Sequence, residues 1–152
     1  MKTRWERYLS REISIKYKAG IYSLCHLFYC ACYLIWQRTF SISLLQVAEI
    51  AFLSYLICNL QVYVLKNFDE AEKLTSKWWL SSLLCMGLYM LAVYAMNWFD
   101  GNIPVVLGFG IYQLYCYYCI YLINKIKRRI DSKRLNQLLD SYKNNKKEKH
   151  YD

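Results

Sequence analysis

The chain has 152 residues, 57% of them hydrophobic and 18% aromatic, with a formal net charge of +9. Few soluble domains are so apolar, yet 20% of the residues are charged and the mean hydropathy is close to zero. Apolar and charged residues are therefore segregated, which disfavours a soluble bundle and points to long apolar spans joined by charged connections.

Residues 1–18 read as a cytoplasmic amphipathic segment. Trp5, Leu9, Ile13 and Tyr17 recur every four residues among Arg and Lys, the pattern of a helix lying in a membrane interface. A first span is expected over about 19–36, with His26 as its one potential charge. It ends in bulky Tyr33, Leu34, Ile35 and Trp36, so a retained span is expected rather than a cleaved leader. The second span is expected over 40–65, with one acid, Glu49. The third covers 78–99 and the fourth 103–123, and neither holds an Asp, Glu, Lys, Arg or His. Each run approaches or exceeds the roughly 20 residues that cross a bilayer as helix, and helix is the form that pairs its own backbone in lipid.

Gln37-Arg38-Thr39 and Asp100-Gly101-Asn102 form two short outer connections, and Pro104 opens the fourth helix, where its missing N–H costs nothing. Trp36, Trp98 and Phe99 are expected at the outer interface, and Tyr17, Trp78 and Trp79 at the inner one. The longer loop between the second and third spans carries three acids, Asp69, Glu70 and Glu72. The fold class expected is all-α: an integral membrane four-helix up-down bundle with N and C termini cytoplasmic.

Orientation follows from the basic residues. Lys and Arg number 20, and all but Arg38 fall in residues 1–18, the middle loop or the stretch after Ile123. Such asymmetry places those segments in the cytoplasm, and the chain in the cell membrane as a multi-pass protein. The surplus charge fits binding to anionic lipid headgroups, worth about 1 kcal/mol per residue near the surface. No nucleic-acid motif accompanies it, so no direct nucleic-acid contact is expected.

Polar residues within the spans form a candidate cluster. Counted from Phe40, Glu49 lies about 14 Å deep; Gln113 is about 15 Å from the same side, and His26 about 10 Å from the other. Gln46 sits one turn from Glu49. Glu49, Gln46, Gln113 and His26 can thus meet, either as a proton, ligand or sensing site or as interhelical hydrogen-bond glue. All seven cysteines fall in the spans. Cys116 and Cys119 have redox spacing, but about 20 Å from the outer face and without an outer-loop Cys, so packing is the expected role. No phosphate loop, zinc motif or nucleophile motif is present. The reading is therefore a non-enzymatic protein with no cofactor and no metal.

After Ile123 the fourth helix is expected to continue to about Ser141, with Ile126, Ile130, Leu135, Leu138, Leu139 and Tyr142 roughly on one side and Lys127, Arg128, Arg129, Lys133 and Arg134 around much of the rest. This is either a membrane-surface or packing helix, or a docking surface for a cytoplasmic protein. A basic tail follows, Asn144 to Lys149 and beyond, of disordered composition.

Ile111-Tyr112, Ile120-Tyr121-Leu122-Ile123, the basic run and Leu135-Asn136-Gln137-Leu138-Leu139 resemble an uncharacterised family of small bacterial four-helix membrane proteins, often encoded beside LytTR-type transcriptional regulators. Asn97-Trp98-Phe99 fits as well, and the resemblance extends over about 40–142. It implies a membrane partner that restrains or senses for such a regulator, with Arg128, Arg129, Arg134, Leu135, Leu138 and Leu139 as the contact residues. A bacteriocin-immunity or membrane-stress protein is the alternative, a small proton-coupled transport subunit a third, and homo-oligomerisation stays open.

Overall fold

A computed structural model describes residues 3–39 and 41–148. Four α-helices account for most of them: α1, Arg4–Trp36; α2, Leu44–Tyr63; α3, Ser76–Ala95; and α4, Ile103–Glu148. A 3-10 turn, Phe68–Glu70, interrupts the α2–α3 loop. All four helices are long and apolar enough to cross a membrane. The 20 residues of α2 and of α3 each give about 30 Å of helix, the thickness of a hydrocarbon core.

Packing is sequential. α1 lies chiefly on α2 and α3 on α4, with α2–α3 and α1–α4 closing the ring. The α1–α2 and α3–α4 connections share one end of the bundle, the hairpin end, where Tyr33 reaches Asp100. The α2–α3 loop closes the other, the loop end, where Lys18 meets Asp69. From the loop end α1 and α4 both run on beyond the bundle.

Local chemistry sets the helix boundaries. Thr3 and Glu6 form a reciprocal capping box at the start of α1. α2 begins at Leu44 rather than at residue 40 because the Ser43 hydroxyl accepts from Leu45 N–H at 3.2 Å and starts the helix there. The same expectation's first residue, Phe40, lies outside the described residues. α2 ends where Lys66 and Asn67 take successive left-handed conformations, φ 52° and 54°. α3 stops at Ala95, and left-handed Asn97 and Asp100, φ 56° and 52°, turn the chain in place of the last helical turn expected there.

Three further differences are informative. The residues expected as an amphipathic segment and as a first span belong to one unbroken 33-residue helix, Arg4–Trp36, rather than to two separate elements. α4 continues as helix to Glu148, past the expected end at Ser141; the rest of the expected tail, 149–152, lies outside the described residues. Trp98, Phe99 and Trp78 are core side chains, 7%, 1% and 1% exposed. Phe99 packs edge-on against Tyr29 and Tyr33. Trp36, Tyr17 and Trp79 do face outward.

The core is unusually aromatic, with Tyr22, Tyr89, Phe109 and Tyr117 fully buried. Gly108 lets α4 approach α1: a Cβ there would sit 2.8 Å from the Tyr29 hydroxyl, which donates to the Val105 carbonyl at 3.0 Å.

Candidate functional site

Two places collect polar chemistry: a network in the middle of the bundle and the loop end with its projecting helices. The first is built from all four helices. His26 on α1 lies 2.7 Å through Nε2 from Gln113 Oε1 on α4, and 3.1 Å through Nδ1 from the Ser54 hydroxyl on α2. With the Gln113 carbonyl oxygen in that place, Nε2 carries the proton and Nδ1 accepts from Ser54. Tyr89 on α3 stands edge-on to the imidazole, centroids 4.5 Å apart. Nearer the loop end, Gln61 on α2 donates to the Tyr117 hydroxyl on α4 at 2.9 Å. His26, Ser54, Gln61, Gln113, Tyr89 and Tyr117 are all fully buried.

Every bond in this network joins two different helices, which is the geometry of interhelical glue. It also concentrates buried polar capacity: Gln61 Oε1, Tyr89 Oη and Gln113 Nε2 have no partner among the described residues.

Of the four expected cluster members, the structure brings His26 and Gln113 together and leaves Glu49 and Gln46 apart from them. Glu49 accepts from Trp98 Nε1 at 2.9 Å, at the hairpin end. The physical reason is the Ser43 cap. With α2 starting at Leu44, Glu49 is only about 8 Å along the helix, not about 14 Å. Gln46, half-buried, is nearer still to that end. Ser54 and Tyr89 take the vacated roles. A hydroxyl within an apolar run is common enough that spacing alone did not single them out.

The loop end is held by a second knot. Lys18, 7% exposed, places Nζ 3.0 Å from Asp69, 2.8 Å from Glu70 and 3.1 Å from Asn67 Oδ1. The Tyr22 hydroxyl donates to the same Asp69 at 3.4 Å. From α4, Asn124 donates to the Asp69 carbonyl at 3.2 Å, and Arg128 donates to the carbonyls of Glu70 and, at 2.8 Å, Ala71. Arg128, expected as a partner contact, is thus committed to the chain's own loop.

Beyond Arg128, α4 stands clear of the bundle. Arg129 and Arg134 are exposed, as are Leu135, Leu138, Leu139 and Tyr142. At about 100° per residue, Ile126 and Ile130 lie about 150° around the axis from those four, so the six do not share one side. Ile126 and Ile130 prolong the outward face that carries Ile123. The other four prolong the inward face defined by Gln113, Tyr117, Tyr121, Asn124 and Arg128. That inward face simply runs out of bundle to cover it.

The fold thus defines a four-helix bundle of membrane-crossing dimensions with a buried polar centre and a long helical projection from its loop end. Comparisons with protein-family models, curated proteins and solved structures give no match.

Proposed function

We propose that the chain is a multi-pass protein of the cell membrane with both termini in the cytoplasm, and that its projecting fourth helix docks and restrains a cytoplasmic LytTR-type transcriptional regulator. The observation that carries the reading is the uncovered apolar stripe Leu135, Leu138, Leu139 and Tyr142, a helix face of the kind that seats in a partner's groove. Insertion is supported by four apolar helices of spanning length. Orientation is supported by the near-total confinement of Lys and Arg to the segments at the loop end. The class of partner comes from the family resemblance. Arg129 and Arg134 flank the stripe and favour an acidic rim on that partner.

Co-purification in mild detergent tests the docking. The wild-type chain captures the regulator, and Leu138→Arg with Leu139→Arg abolishes capture while changing stability by less than about 0.5 kcal/mol, because both residues are already exposed. Failure of the wild-type chain to capture it, with transcription unchanged on deletion, overturns the reading. Deletion that alters toxin sensitivity without altering transcription favours an immunity protein instead. Uptake abolished by Glu49→Gln with folding intact favours a transport subunit.

A further inference from the structure

A cavity of about 530 Å³ opens on one side of the loop end, between α1 and the end of α2, lined by Ser10, Arg11, Ser14, Tyr63, Lys66 and Asn67 over Val62. Its lining is polar: two cations, two hydroxyls, a carboxamide and a phenol. Arg11 is held over the Tyr63 ring, 5.6 Å from its centroid, and among the described residues neither Arg11 nor Lys66 has an ion-pair partner. The neighbouring acids are engaged elsewhere. Glu12 accepts from Tyr55, and Asp69 and Glu70 bind Lys18. Asn67, one wall of the cavity, touches Glu70 at 3.5 Å and is itself fixed by Lys18 at 3.1 Å. The groove therefore carries two cations that, among the described residues, form no ion pair.

We infer that this groove binds a phosphate group, with Arg11 and Lys66 supplying charge and the Ser10 and Ser14 hydroxyls supplying hydrogen bonds. Guanidinium with ammonium and neutral donors is the usual chemistry of phosphate recognition. The height of the site fits a phospholipid headgroup, and to that extent the inference rests on the membrane reading. α2 ends at Tyr63 after a hydrocarbon thickness of helix, so the groove opens where lipid phosphates lie. Exposed Ile13 and Tyr17 adjoin it along α1, where acyl chains would pass. A soluble phosphate would find the same donors.

The test uses the full chain, purified in detergent and in nanodiscs of phosphatidylcholine. Native mass spectrometry reads retention of phosphatidylglycerol against phosphatidylcholine, and calorimetry reads binding of inorganic phosphate. The expected result is preferential retention of the anionic lipid, weakened at least tenfold by Arg11→Gln with Lys66→Gln. The charge-matched control, Lys73→Gln with Lys127→Gln, changes it less than threefold. Phosphate binding that depends on Arg11 and Lys66 without lipid preference assigns the site to a soluble ligand. Equal weakening by both double variants, or no preference for either anion, overturns the inference. Failure to enter nanodiscs overturns the membrane reading separately, and the phosphate arm still reads the groove.

Discussion

His26 is the side chain on which the helices converge: it bonds α2 through Ser54 and α4 through Gln113 and carries Tyr89 of α3 on its face. Interhelical bonds of this kind contribute about 0.6 kcal/mol on average in membrane bundles and up to about 1.7. A double-mutant cycle on His26→Ala and Gln113→Ala, followed by reversible unfolding in mixed micelles, is expected to give a coupling energy of about 0.5–1.5 kcal/mol. The same cycle on His26 and Glu49 is expected to give a value near zero. A larger coupling to Glu49 would restore the cluster that depth alone suggested. His26 and Gln113 were legible because a polar side chain deep in an apolar run must find a partner. The position of Glu49 was not legible, because a count from Phe40 overstates its depth: one hydroxyl, Ser43, starts the helix four residues later.

Among the elements, α1 depends on Lys18 to bind it to the α2–α3 loop. Burial works against the Lys18 ammonium, but the carboxylates of Asp69 and Glu70 outweigh it, and Lys18 titrates above the ordinary lysine value. A raised pKa stabilises the form that is charged in the fold. The contribution is therefore complete below about pH 10.5, the unfolded value, and is lost as pH climbs through the higher folded value. Lys18→Met strands Asp69 buried without its cation, and is expected to cost about 3–5 kcal/mol. Chemical unfolding in detergent at pH 7 measures it, and a loss under 1 kcal/mol would contradict the latch. The four helices were legible from apolar length. The unity of α1 was not, since Lys16 and Lys18 look like the end of a span. Only the fold reveals that Lys18 turns inward to Asp69 and Glu70 of the α2–α3 loop, whereas Lys16 stays exposed. The same holds for α4, where six apolar residues suggested one stripe but the helix carries two.

At the scale of the whole molecule, the unequal ends organise the account. The hairpin end has short turns, with Arg38 its one cation, whereas the loop end carries the acidic latch, the cationic groove and the two projecting helices. The up-down order of the bundle was legible from two short connections and one longer loop. The groove was not, because Ser10, Arg11 and Ser14 come from one end of α1 and Lys66 and Asn67 from the far end of α2. The docking proposed for the projecting helix requires that the loop end face the cytoplasm. The most direct measurement replaces the seven native cysteines with Ala and introduces Thr39→Cys or Ser141→Cys singly, then applies a membrane-impermeant maleimide to intact cells. Labelling of the Thr39→Cys chain in intact cells, and of the Ser141→Cys chain only after permeabilisation, is the predicted result. The reverse pattern, or equal labelling of both before permeabilisation, would contradict the account.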